Sequence, residues 1–93
     1  MPEEQDWIEN LKTIRQYLTE QFPGYLITED SSDTGILHKF SMTNPKTYEQ
    51  FKLKVGWLRL SGKSNNPEKT ERSLIQGDVA RKMRQQKGQY FYW

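Results

Sequence analysis

The chain has 93 residues and no cysteine; 33% of its residues are hydrophobic, 13% are aromatic, and its formal net charge is +2. This length allows one domain with a small core, and the lack of cysteine excludes disulfides, thiolate catalysis and cysteine-bound zinc. The charge is divided unevenly: residues 1–33 carry eight acidic and two basic side chains, and residues 34–93 four acidic and twelve basic ones, an asymmetry that indicates an anionic partner.

The first predicted element is an amphipathic helix. Its apolar residues recur every three or four positions, which is the spacing of one helix face. They are Trp7, Leu11, Ile14, Leu18 and Phe22. Asp6 is the predicted N-cap, with Glu9 at the capping-box position, and Pro23-Gly24 ends the helix.

Three strands are predicted next, at residues 25–28, 36–42 and 48–60. Alternation is clearest in the third strand, where apolar side chains face one way and Lys52 and Lys54 face the other. In the second strand His38 alternates with Phe40, which directs the histidine toward the covered face. The polar segment 29–35 is the predicted turn between the first two strands.

A second helix is predicted over residues 66–88. Asn66 is a suitable N-cap, Pro67 is a suitable first-turn residue, and Gly88 stops the helix. Gly77 weakens its middle by about 1 kcal/mol relative to alanine. The sequence leaves open whether residues 89–93, which follow, form a further strand.

These elements predict a small α+β domain in the order α-β-β-β-α, with a short C-terminal strand left open. Short connections favour an antiparallel three-stranded meander with both helices on one face. The element order is similar to that of double-stranded RNA-binding domains. Those domains start their second helix with a lysine-rich motif, whereas this chain has the mixed segment Glu68-Lys69-Thr70-Glu71-Arg72, so no site residue is carried over. We expect residues 1–93 to form one domain, with residues 1–5 flexible.

Basic side chains of the second half form a candidate site for nucleic acid or another anion. They are Lys52, Lys54, Arg59, Lys63, Arg81, Lys82, Arg84 and Lys87. The strand lysines, with Lys39 one strand away, could hold a phosphate backbone or could keep an exposed sheet face soluble. The helix cations could also bind phosphate, or could complement the helix macrodipole, because acidic residues precede them on the same helix.

Four consecutive aromatic residues form a candidate partner-binding site. They are Tyr90, Phe91, Tyr92 and Trp93. They could stack on bases or anchor a protein partner or a second copy. The favoured alternative is that they fold back over the core, because four exposed rings would make the protein less soluble.

The expected function is that of a non-enzymatic binding module that contacts nucleic acid through a basic sheet face and the second helix. The alternative is a protein-interaction or accessory domain that uses the segregated charge and the aromatic tail. His38 could act as a general base, but its apolar neighbours favour a structural role. We expect no cofactor, no metal and no membrane partner. The acidic start of the sequence is unlike a signal peptide, which favours a cytoplasmic location.

Overall fold

The computed structural model describes residues 2–31, 37–56, 60 and 66–93. These residues form three helices and four strands in the order α-β-β-β-α-α-β, which confirms the predicted α+β class. The helices are α1 (Pro2–Gln21), α2 (Pro67–Gln76) and α3 (Val79–Gln85). The strands are β1 (Leu26–Ser31), β2 (Leu37–Thr43), β3 (Gln50–Gly56) and β4 (Tyr90–Tyr92).

The helix α1 packs through the apolar stripe that its sequence predicts. The buried members of the stripe are Leu11, Ile14, Leu18 and Phe22. The helix begins at Pro2, so Asp6 lies within it and is not its N-cap. At the other end Gly24 has a φ of +83°, a left-handed conformation that glycine adopts without steric cost, and the chain turns there toward β1.

The four strands form one mixed sheet in the order β1-β2-β3-β4. The first three are the predicted antiparallel meander, with Phe40 opposite Leu53 in the pairing of β2 with β3. The C-terminal strand, which the sequence left open, does form as β4, and it pairs parallel to β3. Parallel pairing requires a long crossover, which α2 and α3 provide. Trp93 extends the pairing, because its backbone N–H donates to the Lys54 carbonyl at 2.8 Å.

One face of the sheet, the covered face, packs against the helices. Its buried residues are His38, Phe40, Met42, Phe51, Leu53 and Val55. The core continues into the helices through Ile14, Leu74 and Met83, none of which has exposed surface. No described helix packs on the other face, which we call the open face. Its strand residues are Leu26, Thr28, Asp30, Leu37, Lys39, Ser41, Thr43, Gln50, Lys52, Lys54, Gly56, Tyr90 and Tyr92.

The predicted second helix is divided into α2 and α3. Its predicted start is confirmed, because Asn66 Oδ1 accepts a hydrogen bond from the Lys69 backbone N–H at 2.9 Å. The break lies after Gly77, where Asp78 adopts a left-handed conformation with a φ of 51°. A non-glycine residue rarely adopts this conformation, and it cannot continue a right-handed helix.

Two buried polar side chains of α1 fix the positions of the other helices. Asn10, which has no exposed surface, donates from Nδ2 to the Leu60 carbonyl at 2.9 Å, and its Oδ1 accepts from the Thr70 hydroxyl at 3.3 Å. The Tyr17 hydroxyl accepts from the Ala80 backbone N–H at 3.1 Å. Because Asp78 makes no side-chain cap bond, Tyr17 satisfies a donor in the first turn of α3 from another helix.

Candidate functional site

Three lysines and one tyrosine come together on the open face, and we call them the lysine cluster. The ammonium nitrogens of Lys39, Lys52 and Lys54 lie 5.9, 5.1 and 4.6 Å from the centroid of the Tyr90 ring. Each distance is within the range of a cation–π interaction. Lys52 and Lys54 were predicted site residues, and Lys39 was the predicted neighbour.

Strand pairing places these side chains together. Lys39 is directly opposite Lys54 in the antiparallel pair of β2 with β3, and Lys52 is beside Tyr90 in the parallel pair of β3 with β4. Residues at paired positions project from the same face of a sheet. The cluster therefore needs three strands and cannot form before β4 has paired.

The lysine cluster carries positive charge that no described acid neutralises directly. None of its three lysines forms an ion pair with a carboxylate in the described part of the chain. Asp30, opposite Lys39, is the one acidic residue among the described strand positions of the open face. Two unit charges about 7 Å apart repel each other by about 0.6 kcal/mol in water, which is about the size of the gain from one exposed cation–π contact, about 0.5–1 kcal/mol. An anion at the cluster would be attracted by all three ammonium groups.

The predicted helix cations do not join this cluster. Arg81, Lys82 and Arg84 belong to α3, whose buried side packs into the core beneath the covered face. They therefore lie on the helix side of the sheet. Two of them have internal partners: Arg81 pairs with Asp78 at 2.6 Å, and an Arg84 guanidinium N–H donates to the Gln21 carbonyl at 2.5 Å.

Lys87 also has an internal role. Its Nζ lies 2.8 Å from Glu49 Oε2, and the Tyr25 hydroxyl donates to Glu49 Oε1 at 2.7 Å. The hydrogen bonds from Lys87 and Tyr25 lower the pKa of the Glu49 carboxyl. The two remaining predicted cations, Arg59 and Lys63, lie outside the described residues.

The aromatic tail is divided between the two faces of the sheet. Trp93 is buried and Phe91 packs against the core, as the core-docking alternative predicts. Tyr90 and Tyr92 lie on the open face, and 64% of Tyr92 is exposed. Both rings project from the same face as the lysines, and sequence reasoning did not join them to the lysines. The sequence did contain a signal for this arrangement, because Tyr90 and Tyr92 are two residues apart and side chains two residues apart in a strand project from the same face.

His38 lies on the covered face, as predicted. It is buried, its ring packs edge-on against Phe40 with centroids 4.9 Å apart, and its Nε2 donates to Glu29 Oε1 at 3.0 Å. Arg15 donates to the other oxygen of Glu29. Burial acts to raise the pKa of Glu29, but the hydrogen bonds from Arg15 and His38 outweigh it, and the pKa lies below its ordinary value. The network joins α1, β1 and β2.

Other features of the described residues are less suited to binding an anion. A groove of about 210 Å³ lies between α1 and α2, and its lining includes Glu20, Glu68 and Glu71, which would repel one. The described residues contain no cluster of three or more histidine or acidic side chains that could hold a metal ion. Within the same residues, no helix combines the length and apolar character needed to cross a bilayer.

Comparisons of the chain with protein-family models, curated proteins and solved structures find no match. The site must therefore be interpreted from its own geometry and charge.

Proposed function

We propose that this protein is a non-enzymatic module that binds the phosphate backbone of nucleic acid through the lysine cluster. The observation that carries the proposal is the convergence of three lysines from two strands on one tyrosine ring, without an ion-paired acid among the described residues. A phosphate chain would be attracted by the three ammonium groups and would release counterions, which favours binding.

The shape of the site favours a polymer over a small anion. Small ligands are usually enclosed by a concave pocket, whereas the lysine cluster lies on a sheet face next to an exposed tyrosine. A phosphate chain can follow such a surface and place successive phosphates near Lys39, Lys52 and Lys54. The proposal assigns no role to the cations of α3, because Arg81 and Arg84 have internal partners on the other side of the sheet.

A binding role without catalysis is proposed because the histidine does not belong to the site. His38 projects from the covered face, where it is buried and hydrogen-bonded to Glu29. A cysteine-free protein needs no oxidising compartment, and a cytoplasmic location is part of the same proposal.

The test compares two double variants with equal loss of charge. Lys52→Gln/Lys54→Gln removes two cations from the open face, and Lys69→Gln/Lys82→Gln removes two exposed cations from the helices. Binding of fluorescein-labelled single-stranded and duplex oligonucleotides is measured by anisotropy between about 50 and 200 mM salt. Thermal unfolding of all three proteins confirms that the variants are folded.

We expect the wild type to bind, with a slope of log affinity against log salt of about −2 for three phosphate contacts on a single strand. Lys52→Gln/Lys54→Gln should bind more weakly with a slope of about −0.7, and the helix double variant should retain the wild-type slope. If both double variants lose the same amount of affinity, the oligonucleotides bind to the overall charge of the protein, and the lysine cluster is not the binding site. Absence of binding to every oligonucleotide at low salt would overturn the proposed function.

A further inference from the structure

Tyr90 and Tyr92 differ in what their rings can offer to a ligand. The Tyr90 ring is half-buried and already engaged by three ammonium groups. Tyr92, two residues further along β4, has 64% of its surface exposed. A Cβ built on Gly56 would lie 3.5 Å from the Tyr92 hydroxyl, so the phenol extends over a position of β3 that has no side chain. The exposed aromatic surface therefore adjoins the lysine cluster.

The shape of the open face does not suit a duplex groove. The major groove is about 12 Å wide and admits a helix or a two-stranded ribbon. Four strands with spacings of about 4.8 Å extend over about 14 Å before side chains are added. A duplex on this face would meet the lysines through its outer phosphates, and its paired bases would remain stacked in its interior, beyond the reach of Tyr92.

A single-stranded nucleic acid can contact both the lysine cluster and the exposed ring of Tyr92. Its unpaired bases can turn toward an aromatic side chain while the backbone contacts cations, as in sequence-tolerant single-strand recognition. We infer that the ligand of the open face is single-stranded nucleic acid, with one base stacked on Tyr92 and the adjoining phosphates bound by Lys52 and Lys54. This inference rests on the proposed function and adds to it the strand form and the base contact.

The test separates base stacking from phosphate binding. Wild type, Tyr92→Leu and Tyr92→Phe are titrated with an oligothymidylate of about 12 nucleotides, which covers the site size of a small domain, and with an abasic strand of the same number of phosphates. A duplex of equal length is the third ligand. Tyr92→Phe keeps the ring, and Tyr92→Leu keeps apolar bulk without it. Chemical shifts of the Tyr92 ring protons report stacking directly.

We expect the wild type to bind the thymidylate about 5- to 150-fold more tightly than the abasic strand, which is the range for one stacked base. Tyr92→Phe should keep this preference, and the Tyr92 ring protons should move upfield in the wild-type complex. Tyr92→Leu should lose the preference and keep its affinity for the abasic strand and the duplex.

The possible failures are distinguishable. Equal binding of thymidylate and abasic strands by the wild type would overturn the stacked base while leaving the phosphate site in place. Tighter binding of the duplex than of the thymidylate would overturn the single-strand preference. Failure of all three ligands to bind at low salt would overturn the proposed function itself.

Discussion

The substitution Asn10→Asp tests how the helices are held together. Asn10 Nδ2 donates to the Leu60 carbonyl, and Oδ1 accepts from the Thr70 hydroxyl, at a position with no solvent exposure. An aspartate keeps the acceptor toward Thr70. It places a second oxygen against the Leu60 carbonyl, where the two acceptors repel each other and the carboxylate cannot be hydrated.

The loss of stability depends on whether the introduced carboxyl group is ionised or protonated in the folded variant. If the introduced carboxyl group remains ionised, it is a buried unpaired charge; if it becomes protonated, its O–H can donate to the Leu60 carbonyl. Protonation at pH 7 of an acid with an unfolded pKa of about 3.9 costs about 4 kcal/mol. This cost is the upper limit of the destabilisation if the protonated form fits the site. We therefore expect a loss of about 3–4 kcal/mol at pH 7, out of a total of about 5–14 kcal/mol for a domain of this size.

The dependence on pH distinguishes this mechanism from simple damage to packing. The folded pKa of the introduced carboxyl group would be raised, so the penalty is full above that pKa and decreases as pH falls toward the unfolded value. Near pH 4.5 we expect a difference from wild type of only about 1 kcal/mol. Urea unfolding followed by tryptophan fluorescence measures both values. The control Asn10→Ala should lose about 2–3 kcal/mol with little change over the same range.

A loss below about 1 kcal/mol for Asn10→Asp at pH 7 would refute the reasoning, because a buried carbonyl that has lost its donor and a buried charge cannot together cost so little. A loss that does not change between pH 7 and about pH 4.5 would also refute it, since protonation of the introduced carboxylate is the proposed source of relief.

Two further predictions concern contacts of α1. Glu29→Gln should make the free energy of unfolding depend less on pH in the acid range. The pKa of the Glu29 carboxyl is lowered in the fold, so the stability that the ionised carboxylate contributes is present above about pH 4.3 and is lost as pH falls through the folded pKa. Urea unfolding from pH 7 down to about pH 2 measures this, and parallel profiles for variant and wild type would contradict it. Tyr17→Phe should cost about 1–2 kcal/mol and speed amide exchange at Ala80, because the backbone N–H loses its buried acceptor; unchanged exchange would contradict it.

Periodic patterns identified the elements that pack locally but not their bounds, since β1 continues to Ser31 and β3 spans Gln50–Gly56 of the predicted 48–60. The apolar stripe of α1 and the alternation of β3 each give one buried face, and Asn66 marks the start of α2. The division between α2 and α3 was not predicted. Gly77 indicated a weak helix, but the break itself lies at Asp78, which is left-handed, and the Tyr17 hydroxyl accepts from the Ala80 N–H just beyond it.

The position of the candidate site in the fold was predictable only in part, because it also depends on contacts that are distant in sequence. Alternation alone places Lys52 and Lys54 opposite the core, and the pairing of the strands confirms that position. The position of Tyr90 beside them depends on the register of a parallel strand that is distant in sequence, which no local pattern specifies. The helix cations formed one group in sequence, yet Arg84 bonds to the end of α1 and Lys87 to Glu49. Long-range partners of this kind cannot be read from charge spacing.

The strand β4 links the two sides of the sheet thermodynamically. Phe91 and the adjoining Trp93 contribute to the core, and Tyr90 and Tyr92 contribute to the open face. If the proposed nucleic-acid strand contacts Lys52 and Tyr92 together, it opposes separation of β3 from β4, and the stability of the folded chain then rises with the concentration of that ligand. By the same linkage, a core variant that loosens Trp93 would then weaken the proposed binding at a surface that Trp93 does not touch.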